Sequence, residues 1–211
     1  MLFRHIGHAE FLIETESGWR IVTDPYDAGT GYPVRPMKAD TVLVSHHHHD
    51  HDAVENVSGS PQVIDYAGEH TLIPGVRLTA VRAFHDDAGG SKRGETLLFL
   101  LEAEGLKIAH LGDLGDRLTP EQTALLHGVD VLMIPVGGFY TIDADTAFEI
   151  AGALQARVVI PMHYKTAYNA DWPITDEEPF LRHYGEEEIY RGSILRVTAA
   201  DLPCQPKVAL I

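Results

Sequence analysis

Apolar and polar positions alternate in short bursts through the first half of the chain, and each burst predicts a β-strand. Phe3 to Ile6, Glu10 to Thr15 and Arg20 to Asp24 read as strands separated by Gly7-His8 and Ser17-Gly18. Ala28 to Pro36 is rich in glycine and proline and reads as a loop. Thr41 to Ser45 reads as a short buried strand, followed by strands over Gln62 to Asp65, Val76 to Phe84, Thr96 to Glu102 and Lys107 to Leu111. The pattern then becomes mixed. Thr119 to His127 predicts a helix, with Thr119 as N-cap, Pro120 in the first turn and Gly128 at the stop. A strand over Val131 to Pro135, a helix over Asp143 to Leu154 and a strand over Arg157 to Pro161 follow. Asp176 to His183 predicts a third helix ended by Gly185, and Ser193 to Val197 a last strand. Two groups of strands with interleaved helices imply two packed sheets with helices outside, an α/β (α+β) architecture. With no repeat and no linker, residues 1–211 read as a single domain.

Composition narrows the function. The formal net charge of −15 argues against nucleic-acid binding, because polyanions are drawn to basic surfaces. Any aspartate that binds a cation is locally neutralised, so the surface is less acidic than the sum. No stretch is long and apolar enough to span a bilayer. The N-terminus, MLFRHIGHAEFLIE, lacks the pattern of a signal peptide. A lone cysteine, Cys204, excludes an internal disulfide. The expectation is a soluble, cytoplasmic protein with no membrane partner.

The candidate chemistry is concentrated in SHHHHDHD, where His46 to Asp52 hold five histidines and two aspartates directly after an apolar run. Alternate side chains of an extended segment point the same way, which groups His46, His48 and Asp50 and turns His47 and His49 aside. A turn after Asp50 can return His51 to the first group, giving H-x-H-x-D-H. Imidazoles at i and i+2 suit one first-row metal ion, and the following Asp-His pair suits a second. The cluster lies at a strand end, where loops are held rigid and sites are built. His5, His70, His127 and His183 show no such context.

GHAEFLIE, TDPY at Thr23 to Tyr26, SHHHHDHD, FHDDAGG at Phe84 to Gly90, HLGDLG at His110 to Gly115, PVGGFYT at Pro135 to Thr141 and PMHY at Pro161 to Tyr164 occur in one order across nearly the whole chain. This ordered set resembles the metallo-β-lactamase superfamily. Within it, the chain is most similar to the short stand-alone hydrolases that include the ascorbate-6-phosphate lactonase-like branch. The resemblance implies a four-layer αββα sandwich of two mixed sheets. It implies His46, His48 and His85 as one metal site, Asp50, His51 and His163 as a second, and Asp113 as the bridging carboxylate. It places Asp24 behind a ligand; His110, three residues before Asp113, reads as a supporting residue or as one that alternates into the core.

The implied cofactors are two divalent ions, zinc first, with manganese, nickel or iron as alternatives. Two cations sharing a water bring its pKa to about 7, which supplies a hydroxide nucleophile. Asp50 then has a catalytic role in orienting that hydroxide and moving its proton. The expected activity is hydrolysis of a small lactone, ester or phosphodiester. Lys92, Arg93 and Lys165 lie close in sequence to ligands and point to an anionic substrate. Compact relatives of this kind often assemble, so a homo-oligomer is a further expectation. The alternatives are a di-iron redox protein, which would typically carry Glu in place of His48, and a non-catalytic metal-binding protein.

Overall fold

The computed structural model describes all residues from 1 to 211. The first strands are β1 (Leu2–Gly7), β2 (Glu10–Glu14), β3 (Arg20–Thr23), β4 (Met37–Lys38), β5 (Thr41–Leu43), β6 (Val57–Ser58) and β7 (Gln62–Ile64). An antiparallel meander follows, made of β8 (Gly68–Ile73), β9 (Val76–Phe84), β10 (Glu95–Ala103) and β11 (Leu106–His110). Helix α1 (Pro120–Leu126), β12 (Val131–Pro135), α2 (Ala144–Ala153), β13 (Val158–Met162) and α3 (Glu178–Leu181) alternate next. Strands β14 (Ile189–Arg191), β15 (Leu195–Arg196) and β16 (Lys207–Leu210) end the chain.

These strands form a six-stranded sheet, β15-β1-β2-β3-β5-β7, and an eight-stranded sheet, β14-β16-β13-β12-β11-β10-β9-β8. Both are mixed, as expected. The side-chain period of two explains how one strand serves two layers. On β10, Leu97, Phe99 and Leu101 point between the sheets, while Leu98 and Leu100 pack against the helices. On β12, Val131 and Met133 face the inter-sheet core, and Leu132 and Ile134 face the helical layer. Burial on both faces is why these strands read as nearly continuous apolar runs. Over the outer face of the six-stranded sheet, the helical layer is reduced to the 3-10 turn Val54–Asn56. That turn and the β4-β6 pair cover Val22, Val42 and Val44.

Local signals fixed α1 and α2 well. Thr119 closes a capping box with Gln122, and Asp143 accepts a hydrogen bond from the Thr146 backbone N–H. The third helix is shorter than Asp176 to His183: only Glu178–Leu181 is helical, because Phe180 and Leu181 alone need burying. Strands β4, β6, β8, β14 and β16 were not expected. β8 is an edge strand with few buried residues, so it carries little apolar signal.

One buried carboxylate makes stability depend on pH. Glu10 begins β2, and burial raises its pKa to about 8, with the nearby Asp24 charge adding to the effect. The folded state therefore holds a proton that the unfolded chain has released above its ordinary carboxylate pKa. The stabilising contribution is full below about pH 4.5 and disappears as pH rises to about 8. Glu10→Gln is expected to raise the melting temperature at pH 8 and to leave it nearly unchanged at pH 4. Equal shifts at the two pH values would show that Glu10 does not titrate in this way.

Candidate metal centre

Strand ends assemble the centre. His8 follows β1, Asp24 follows β3, His46 to His51 follow β5, His85 follows β9, Asp113 follows β11 and His163 follows β13. Both sheets contribute, so the residues meet at one end of the sandwich. Three of them, His8, Asp24 and His163, hold left-handed backbone at φ of 53°, 40° and 53°. Such conformations cost about 1–3 kcal/mol for a non-glycine residue and persist where surroundings enforce them. Gly137 lets its loop lie directly on the peptide of His163: a Cβ there would come within 2.2 Å of the His163 carbonyl oxygen.

Three groups of possible ligand atoms result, each within 4.8 Å: His46, His48 and His85; Asp50, His51 and His163 together with His8; and His46, His51 and Asp113, which joins the first two. Asp113 lies between them. Its Oδ2 is 3.1 Å from His163 Nε2, 3.4 Å from His85 Nε2 and 4.0 Å from His46 Nε2, and its Oδ1 is 3.3 Å from His51 Nε2. Yet His51 Nε2 and Asp113 Oδ1 make no hydrogen bond, although both atoms are buried. Buried polar atoms are normally satisfied, so atoms pointing at a shared space without bonding each other fit a site built for cations.

Supporting contacts orient these rings. Asp24 is fully buried and accepts from the Ser45 backbone N–H at 2.7 Å, from Ser45 Oγ–H at 2.8 Å and from His51 Nδ1–H at 3.0 Å. With the Ser45 hydroxyl proton committed to Asp24, its oxygen accepts from His46 Nδ1–H at 2.9 Å. The Nδ1–H of both rings is thereby fixed and Nε2 is aimed at the centre, the orientation a metal requires. Burial opposes charge on His51, but the Asp113 and Asp24 carboxylates raise its pKa well above the ordinary value. Burial pushes the His46 pKa down to about 3, with the His51 charge adding to it. Burial opposes charge on Asp113 too, but the His163 and His51 imidazoles hold it well below the usual carboxylate range.

Asp24 thus lies behind His51, a candidate ligand. His110 is 4.0 Å from Asp24 Oδ2 and touches backbone on both sides: Nε2–H donates to Ala9 O at 3.0 Å, and Nδ1 accepts from Gly112 N–H at 3.2 Å. His47 and His49 are exposed and lie against Asp52 and Asp27 respectively, while His48 is also exposed but meets His46 Nε2 through its Nδ1 at 3.0 Å. Asp86, next to His85, accepts four backbone N–H groups, from Ala88, Gly90, Lys92 and Arg93, and so organises the loop that carries His85.

The basic side chains are unequal. Lys92 pairs with Asp87 at 2.6 Å. The Arg93 guanidinium donates to Phe139 O at 3.0 Å and lies over the Tyr140 ring. Lys165 is half-buried, and its backbone N–H donates to Thr175 O.

His8 is the residue the sequence reading missed. It is 1% exposed, and its Nε2 is 3.1 Å from Asp50 Oδ2. The signal was present, since His8 directly follows an alternating strand as His85 does, but Gly7-His8 reads equally as a turn.

Comparison with known proteins agrees with this architecture. The β-lactamase superfamily domain matches residues 3–163. The chain is 31% identical over 206 residues to a UPF0173 metal-dependent hydrolase of Pelotomaculum thermopropionicum, covering 82% of this chain and 86% of that one. It is 32% identical over 219 residues to a UPF0173 metal-dependent hydrolase of Rubrobacter xylanophilus, covering 86% and 88%. Among solved structures it is similar to a Thermotoga maritima protein described as a zinc-dependent hydrolase of the metallo-β-lactamase superfamily. That similarity has a TM-score of 0.80 and 39% identity, over 99% of this chain and 96% of that one. No helix is long and apolar enough to cross a membrane. Fold, ordered motifs and relatives coincide: the chain belongs to the metallo-β-lactamase superfamily and, within it, to the UPF0173 metal-dependent hydrolases.

Proposed function

We propose that the protein is a dinuclear metal-dependent hydrolase acting on a small lactone, ester or phosphodiester. The observation that carries this reading is Asp113, whose two oxygens face imidazole nitrogens of both ligand groups. In this reading His46, His48 and His85 hold one ion, Asp50, His51 and His163 hold the other, and Asp113 contacts both. Imidazole and carboxylate donors suit zinc, and manganese, nickel or iron fit the same set. A bound pair of divalent ions supplies Lewis acidity and a water of lowered pKa. The chain's own part would be to orient imidazoles through Asp24 and Ser45, and to hold the Asp50 carboxylate ionised as a proton acceptor.

Elemental analysis of protein purified without chelator is expected to give two ions per chain. His85→Ala should lower that number to one under limiting metal. A ratio that stays at one in excess metal removes the dinuclear assignment.

Lys165 carries the proposal of an anionic substrate, since Lys92 and Arg93 are engaged elsewhere. Lys165→Ala should raise KM several-fold for an anionic ester and leave a neutral analogue unchanged. Added salt should narrow the gap, because exposed charges are screened over about 10 Å at 0.1 M. Equal KM changes for the two esters would take Lys165 out of substrate binding.

A further inference from the structure

We infer that His8 is a positioning residue for Asp50: its Nε2–H fixes the carboxylate through Oδ2, and His8 does not itself bind metal. This rests on the proposed metal site, in which Asp50 is a ligand. Two roles are open to a histidine in this place, because the ligand atoms of His8, Asp50, His51 and His163 all lie within 4.8 Å of one another.

Geometry separates them: the His8–Asp50 contact is a hydrogen bond, whereas His163 Nε2 lies at the same 3.1 Å from Asp113 Oδ2 without forming one. A nitrogen lone pair directed at a carboxylate oxygen is repelled, so the 3.1 Å contact between His8 Nε2 and Asp50 Oδ2 requires hydrogen on Nε2. A nitrogen that carries hydrogen has no lone pair for a cation. Asp50 Oδ2 is also 3.6 Å from His51 Nε2, so the oxygen His8 holds is the one turned toward the neighbouring candidate ligand. Its Nδ1 is buried without a partner, as are those of His85 and His163, so the hydrogen bond from Nε2 is what sets His8 apart.

The rest of the surroundings immobilise the ring. The His8 carbonyl accepts from the His163 backbone N–H at 3.0 Å and lies 3.0 Å from His5 Nε2. The ring centroid is 4.1 Å from that of His163 and 5.2 Å from that of Trp172, which meets it edge-on. A left-handed φ of 53° aims the side chain inward from the end of β1. The arrangement holds a carboxylate the way an imidazole ligand is normally held by one, with the roles exchanged.

The test compares His8→Leu with His8→Gln. Both carry the same left-handed backbone, so strain cancels between them, and only glutamine offers an N–H near the Nε2 position. Each variant and the wild type are loaded with cobalt(II). Ions per chain, the visible absorption bands, and kcat and KM for a chromogenic phosphodiester are then measured. The expected result is two ions in both variants. His8→Leu should show shifted cobalt bands and a kcat about 10- to 100-fold lower at unchanged KM, in line with loss of a ligand's partner. His8→Gln should recover most of both. Loss of one ion from both variants would make His8 a ligand and overturn the inference. So would wild-type bands and kcat in His8→Leu, or a His8→Gln protein no better than His8→Leu. If the wild type cleaves no phosphodiester, the hydrolytic reading fails at that substrate while the cobalt bands still decide the role of His8. If His8→Leu does not fold, His8→Gln decides alone: two ions with wild-type bands support the inference, and one ion or altered bands overturn it.

Discussion

Asp113→Ala is expected to lose both tight metal sites and to turn over substrate at background rate. Asp113 is 2% exposed and faces four imidazole Nε2 atoms drawn from two separate strand-end loops and the His46–His51 turn. Its removal leaves those rings without the one charge that both groups share. Partners that merely orient a ligand cost about 10- to 100-fold in metal affinity or activity when mutated, so a bridging ligand should exceed the upper end of that range. Elemental analysis and turnover measured on the same preparation check this. A folded Asp113→Ala protein that retains two ions per chain would dismiss Asp113 as the bridge. Asp113→Asn offers a gentler version, because it preserves shape and removes the charge.

The second large effect is expected at Asp50. Asp50→Ala should keep the ion held by His46, His48 and His85, because those three rings do not depend on it, and should lose most activity. Positioned acid–base groups typically contribute about a hundred- to ten-thousand-fold. Asp50 is nearly buried, with one oxygen between His8 and His51. Burial opposes its charge, yet the His8 hydrogen bond and the His51 charge keep its pKa well below the usual carboxylate range. The group is therefore ionised at any working pH and available as an acceptor. Near-normal turnover by a folded Asp50→Ala protein would end its role in the reaction.

Most of the centre was legible because its residues announce themselves locally. His46, His48, Asp50 and His51 form one continuous motif, and His85, Asp113 and His163 each follow a strong strand signal. The segment is a series of bends rather than a strand, closed by a turn from His51 N–H to His48 O, and it leaves His47, His48 and His49 all exposed, so strict alternation describes it only loosely. What local pattern does not carry is pairing at a distance. His8 meets Asp50 across 42 residues, and nothing around position 8 encodes that partner. Lys92 and Arg93 looked alike in sequence, yet one closes on Asp87 and the other reaches Phe139. Short strands fail for a related reason: Lys207–Leu210 holds only four residues and earns its strand state from neighbours rather than from propensity.

That last strand has a consequence for the order in which the molecule is made. β16 pairs in parallel with β13 on one side and with β14 on the other. On the ribosome the chain emerges N-terminal end first, so every candidate ligand up to His163 is available before the strand that backs His163 exists. Until Lys207–Leu210 is released, β13 presents an open edge with unpaired backbone groups, the kind of surface that invites another chain. The ligands are synthesised before the strand that supplies the rigidity which makes them a site. A nascent protein would carry the full set of metal donors for a time on a sheet still missing its support.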